Sequence, residues 1–178
     1  IESKARTRVM DSPANMYEEF VAPLDDDLSQ FIVTRESNST IADAWLRTAG
    51  SSDAKKLTTN LDVAPEVTGA QFKRLEVTRP RDGTKFWVEV TVPRDWKPGT
   101  KLPGVIWFYP REFDNQEAYN RSLTQGAGAA NRFATYGPRS LAFIVTQGYA
   151  LIEPDAPIFA SEGQLPNDNY VVDLRNNL

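Results

Sequence analysis

The sequence predicts an α/β protein with a β-rich N-terminal part, and three observations carry that prediction. Phe86, Val88, Val90 and Val92 alternate with Trp87, Glu89 and Thr91, the period of two that a strand with one buried face requires. Val105-Ile106-Trp107-Phe108-Tyr109 is an unbroken apolar run stopped by Pro110, the pattern of a strand covered on both faces. Between that run and a further strand at 149–153 lies a segment of helix length, 139–147. Strand, crossover, helix and strand therefore follow in the order of a right-handed parallel unit.

In chain order, Phe31-Ile32-Val33-Thr34 and Ile41-Ala42-Asp43-Ala44-Trp45-Leu46 read as two β runs separated by the polar turn Arg35-Glu36-Ser37-Asn38-Ser39-Thr40. An isolated hairpin is marginal in water, so these strands are expected to join a larger sheet. Composition shifts near residue 66, and 69–93 forms a second hairpin turning at Arg81-Asp82-Gly83. Lys97-Pro98-Gly99 makes the next turn. Residues 111–138 form a long polar stretch containing Gly126 and Gly128, longer than most connections and therefore a candidate functional loop. The helix at 139–147 presents Leu141, Ile144 and Val145, with Gly148 where a C-terminal cap belongs. Pro166-Asn167-Asp168-Asn169 supplies capping side chains for a last helix, in which Tyr170, Val171, Leu174 and Leu178 share one face. That helical pattern has no terminator and is expected to continue, so the chain reads as part of a longer polypeptide.

The 178 residues, 40% hydrophobic and 25% charged, have the composition of a globular protein. A formal charge of -4 gives no electrostatic reason to bind nucleic acid. No apolar run approaches the roughly 18 residues of a membrane-spanning helix. With no Cys there is no disulfide or thiolate, and with no His there is neither the usual general base nor the commonest metal ligand. The chain by itself therefore cannot be a Ser-His-Asp hydrolase, and no metal or cofactor is expected.

Several short patterns invite chemistry and lose to simpler readings. Asp25-Asp26-Asp27 offers oxygen ligands, but adjacent residues cannot all converge on one ion, and a charged turn is expected. Gly126 and Gly128 do not follow a strand as a phosphate loop demands. Ser52-Asp53-Ala54-Lys55 has the spacing of a Ser-Lys nucleophile pair without its companion motifs, and reads with Gly50-Ser51 as a hairpin tip. Asn38-Ser39-Thr40 and Asn120-Arg121-Ser122 are glycosylation sequons, which arise often by accident. Arg111, at the mouth of the apolar strand, could hold an acidic substrate side chain through a bidentate pair, or be a solvated loop residue.

Four stretches carry a family resemblance: Leu102-Pro103-Gly104-Val105-Ile106-Trp107-Phe108-Tyr109-Pro110-Arg111-Glu112-Phe113, then Asn131-Arg132-Phe133, then 143–155, then Leu165-Pro166-Asn167-Asp168. They resemble the start of the catalytic domain in prolyl oligopeptidase family serine peptidases, within the glutamyl endopeptidase-like branch. Residues 69–96 look like the hairpin that opens that domain, and 1–65 more loosely like the last part of the preceding β-propeller. The resemblance implies propeller strands over 1–66 and the first half of an α/β-hydrolase sheet over 67–178. It also implies that the Tyr109 hydroxyl serves the oxyanion hole. A tyrosine, with a pKa of about 10, stays a protonated donor at neutral pH. In that family the nucleophile sits in a Gly-x-Ser-x-Gly turn, followed by Asp and His. None of that motif is present, so no catalytic triad member is assigned in this chain. The implied parent is a peptide-bond hydrolase acting by acyl transfer, cutting after acidic residues, inactive without its triad-bearing segment. The implied partners are a peptide substrate and the remainder of the same polypeptide or a complementary chain, without nucleic acid or membrane. The resemblance favours an extracytoplasmic or periplasmic location. The competing expectation is a self-contained, non-catalytic β-rich binding module in which Trp45, Trp87, Trp107 and Tyr109 are core or stacking aromatics.

Overall fold

The computed structural model describes residues 8–124, 131–160, 163 and 165–178. Two compact units emerge, one from Ile1–Val63 with Ala127–Thr135, the other from Ala64–Gly126 with Tyr136–Leu178. The Gly126 and Gly128 pair lies outside the described residues.

The first unit is a four-stranded antiparallel sheet whose strands follow one another in sequence: β1 (Tyr17–Pro23), β2 (Gln30–Ser37), β3 (Thr40–Thr48) and β4 (Ala54–Lys56). The expected hairpin is β2 and β3, and it does sit in a larger sheet. Its turn is tighter than expected, because β2 runs on to Ser37, which pairs with Thr40. Phe31 and Val33 are fully buried and anchor the sheet, each such side chain contributing about 1.5–3 kcal/mol. Arg132 lies over the Tyr17 ring at 4.3 Å and reaches Glu19 at 2.9 Å and Glu36 at 3.1 Å.

The second unit opens with a one-turn helix, α1 (Pro65–Thr68), followed by the long hairpin β5 (Gln71–Thr78) and β6 (Lys85–Val92). It continues through β7 (Gly104–Ile106), β8 (Arg111–Phe113) and α2 (Gln116–Thr124). A 3₁₀ helix (Leu141–Gln147), β9 (Ala150–Pro154), β10 (Pro157–Phe159), a 3₁₀ turn (Pro166–Asn169) and α3 (Tyr170–Asn176) complete it. The main sheet has the order β5-β6-β9-β7, in which β9 pairs antiparallel with β6 and parallel with β7. The expected parallel strand pair is therefore present.

Several expectations need correction. The run from Val105 to Tyr109 is not a strand covered on both faces: β7 holds three residues, stands at the sheet edge, and leaves Trp107 49% exposed. Apolar character reported a strand there but not what covers it. On β6 only Phe86 and Val92 are buried, and the intervening residues of both faces are half-buried. The stretch 111–138 is not one long loop, since β8 and α2 occupy its first half. The crossover helix is 3₁₀, so its buried residues are Ala142 and Val145, while Leu141 is exposed. Its ends follow expectation in kind: the Ser140 hydroxyl accepts from the Ala142 N–H, and Gly148 closes the helix at φ 80°, a left-handed conformation that glycine adopts freely. In α3 the buried stripe is polar, Asp173 and Asn177, and Val171 and Leu178 are exposed. Asn169 stands at the N-cap, where its side chain reaches the Phe159 carbonyl and not the helix's own N–H groups, and Asp168 accepts from the Leu165 N–H. Asn177 forms the helix C-cap, its N–H donating to the carbonyls of Asp173 and Leu174.

Candidate functional site

The site region of the second unit is built where two parallel strands break and resume. Gly104 of β7 stands opposite Ala150 of β9, and Arg111 of β8 stands opposite Pro157 of β10, so both strands spend the same number of residues on the interruption. On one strand the break falls at Tyr109-Pro110, where proline has no N–H to offer a ladder. On the other it falls at Asp155-Ala156, where Ala156 takes φ 43°, a left-handed conformation unusual for a residue with a Cβ. By register Tyr109 stands at the level of Asp155. Open α/β sheets place ligands outside the C-terminal ends of their strands, and Tyr109 follows the end of β7 with its side chain 76% exposed. Its phenol is thus free to donate to a group in solvent.

Arg111, one residue past Pro110, opens β8 and is exposed, its guanidinium 5.3 Å from the centre of the Phe113 ring. Stacking on an aromatic face leaves the in-plane N–H groups available for a carboxylate.

The break is held from below by Tyr119 of α2, which is 1% exposed. Its hydroxyl donates to Asp155 Oδ2 at 2.6 Å and accepts the Trp87 N–H at 2.9 Å. The Asp155 N–H donates to the Trp87 carbonyl at 2.9 Å, and the Phe113 ring meets Tyr119 edge-on at 5.3 Å. Burial first, and then the hydrogen bond to Asp155, raise the Tyr119 phenol well above its ordinary value. It is a fixed donor and not a base. Tyr119 and Asp155 were not among the residues singled out from sequence. Tyr119 falls in the stretch that reads as polar loop, and nothing local marks its burial.

Across β5, β6 and β9 runs a row of charge: Arg74 opposite Glu89, and Glu89 opposite Glu153. Arg74 Nε lies 3.7 Å from Glu89. Burial raises the Glu89 carboxyl, Asp155 adds to the rise, and Arg74 opposes it. Burial and the neighbouring Glu89 raise Glu153. Glu153 also lines a cleft of about 330 Å³ with Trp107, Tyr136, Arg139 and Leu151, beside the parallel strands.

The other sequence patterns resolve as local structure. Asp25 accepts from the Ser29 hydroxyl and from the N–H groups of Ser29 and Gln30, which makes it a turn brace. Ser52 lies in the β3–β4 turn, while Lys55 stands in β4 opposite Leu46. Among the described residues no group of three or more carboxylates, His or Cys could hold a metal ion. What the described residues of the region offer chemically is a hydrogen-bond donor and a guanidinium at a braced strand exit.

No family model matches the chain. The probable chloroplastic glutamyl endopeptidases of Oryza sativa subsp. japonica and Arabidopsis thaliana are each 23% identical to it over 186 aligned residues, covering 98% of this chain and 19% of theirs. The chain thus spans about a fifth of the length of these curated relatives. Among solved structures, a prolyl endopeptidase covers 96% of this chain and 23% of its own at 14% identity, with a TM-score of 0.43. Oligopeptidase B from Trypanosoma brucei with covalently bound antipain covers 95% and 22% at 14% identity, with a TM-score of 0.40. The weak sequence likeness to these glutamyl endopeptidases is spread over nearly the whole chain.

Proposed function

We propose that the chain is part of a serine-type peptidase of the prolyl oligopeptidase family, running from the last strands of a β-propeller into the first strands of an α/β-hydrolase domain. The observation that carries this reading is the extent of the likeness to the plant relatives, which runs through 98% of the chain and so through both units. Two architectural facts support it. Four antiparallel strands in sequential order, β1 to β4, are the makeup of a propeller blade. An antiparallel hairpin leading into parallel strands joined by a helical crossover suits the start of an α/β sheet.

In this reading peptide-bond cleavage proceeds by acyl transfer, with the nucleophilic Ser, the Asp and the His supplied by sequence outside these residues. Tyr109 donates to the oxygen that becomes negative in the tetrahedral intermediate, one such donor contributing about 2.7–4 kcal/mol to the transition state. Tyr119 and Asp155 act through position: they fix the exit of β9 at the level of Tyr109, so the phenol is aimed from a stiff base. Arg111 suits an acidic substrate side chain through paired N–H···O bonds, which matches cleavage after acidic residues.

A fluorophosphonate, which reacts with activated serines, tests the reading. The polypeptide extended through the codons that follow Leu178 in its own gene is expected to be labelled, and residues 1–178 alone are not. Labelling of the short chain, or none of the extended one, refutes it.

A further inference from the structure

Most strands that end a sheet are guarded by their shape. β4, β7, β8 and β10 hold three residues each, and β1 is broken by a bulge between Phe20 and Ala22. Short or bulged edges of this kind resist pairing with another chain. β5 has neither defence. It runs eight residues, Gln71–Thr78, in unbroken register with β6, contains no proline, and ends the main sheet. Its middle is exposed, with Phe72 58% and Leu75 50% accessible. Lys73, of the residue type that often guards an edge, is held over the Trp96 ring of its own chain at 4.4 Å. Beyond the ladder with β6, no β5 residue makes a backbone hydrogen bond among the described residues.

The side chains of β5 suit one partner in particular. A two-fold axis normal to the sheet sets β5 antiparallel to its own copy and pairs residues that share a face. Phe72, Arg74 and Glu76 share one face, and Lys73, Leu75 and Val77 the other. Centred on Lys73, Arg74 or Glu76, such a pairing sets a charge against itself. Centred on Leu75, it sets Arg74 against the copy's Glu76 on both sides of the axis, and Leu75 against Leu75. Opposite charges and apolar pairs directly across from each other favour that register. Within the chain Arg74 lies 3.7 Å from Glu89 and Glu76 lies 3.2 Å from Lys85, pairs between exposed side chains that can share a further charge.

We propose that β5 is a self-association edge: two copies of the chain join their main sheets by antiparallel β5–β5 pairing, with Leu75 on the two-fold axis. A strand pairing alone buries little area, so the dimer is weak and reversible. The inference is independent of the peptidase reading, because it rests on β5 and its own sheet.

Sedimentation equilibrium is expected to show the mass doubling reversibly with concentration, an effect weakened by salt. Arg74→Glu alone and Glu76→Arg alone each set like charges across the axis and are expected to weaken dimerisation about tenfold. Mixed in equal amounts, the two variants present opposite charges to each other, and the dimer is expected to return. The chain has no cysteine, so an introduced thiol can meet only that of its copy. Leu75→Cys is expected to give a disulfide-linked dimer on mild oxidation. Phe72→Cys, which stands roughly 20 Å from its copy in this register, is not. Charge variants that stay apart when mixed, or a Phe72→Cys yield equal to that of Leu75→Cys, overturn the proposal. A monomer at every concentration also overturns it, and slow exchange of the β5 amides in that monomer would assign the edge to cover from within the same polypeptide.

Discussion

The Tyr119 hydroxyl donates to Asp155 at 2.6 Å while accepting the Trp87 N–H at 2.9 Å, so one buried oxygen ties α2 to β6 and to the residue that follows β9. Tyr119→Phe removes both bonds and leaves the Trp87 N–H and one Asp155 oxygen without them. The expected cost is about 2–3 kcal/mol, since a hydrogen bond to a charged group is lost together with a satisfied buried donor. Urea unfolding followed by tryptophan fluorescence measures it, and a loss below half a kcal/mol would show the tie to be incidental.

Arg79 is the corresponding hub at the β5–β6 turn. Its buried guanidinium donates to Asp82 through two nitrogens, to Thr84 and to Asn177, and lies 3.6 Å from Asp173. Arg79→Ala leaves Asp173 and Asn177 buried without this partner and is expected to cost about 3–5 kcal/mol. Hydrogen exchange should show α3 losing protection before the sheet does.

At the same turn, burial pushes the Asp82 carboxyl up. The Arg79 and Thr84 bonds outweigh that and hold it at about 2, against its ordinary 3.8. A carboxylate with a lowered pKa contributes stability that is present above its unfolded value and is lost as pH falls through the folded one. Asp82→Asn should therefore destabilise at pH 6 and approach wild type as the pH falls from 3.8 towards 2. A constant difference across that window contradicts the assignment.

Glu89 and Glu153 titrate in the opposite sense. Both carboxyls are raised above 4.5, burial being the larger cause for each. A raised carboxyl favours the folded state when protonated, so the pair is least costly below pH 4.5 and penalises folding progressively as pH rises through the folded pKa values. Glu153→Gln should stabilise at pH 7 by about 0.2–1 kcal/mol, the range for a charge directly opposite a like charge in a sheet. The gain should vanish near pH 4. Melting curves at the two pH values decide it.

How much of this was legible in sequence follows from what each signal reports. The β2–β3 and β5–β6 hairpins were visible because alternation and turn residues are local properties, and Gly148 was visible because the chain needs a left-handed residue there. Coverage was not legible: Val105 to Tyr109 has the composition of a buried strand, yet β7 lies at an edge, and burial depends on neighbours far away in sequence. The polar stripe of α3 was missed for a similar reason, since the partners of buried Asp173 are Arg79 and Arg81, in the turn between β5 and β6, and the Phe159 N–H of β10. Tyr109 came forward from the family resemblance, and Arg111 because it follows the apolar run that ends at Tyr109-Pro110, where a strand exit can be inferred. Tyr119 and Asp155 required the register of two strands and a helix, which no single stretch contains.

The central claim is that Tyr109 donates to a developing oxyanion, and Tyr109→Phe in the extended polypeptide tests it most directly. With acyl-ester turnover as the readout, the account predicts a fall in kcat of about 10²–10³-fold, with KM little changed and the Tm unchanged, because the side chain is 76% exposed. A variant that keeps wild-type kcat, or one whose loss tracks a fall in Tm, would contradict it.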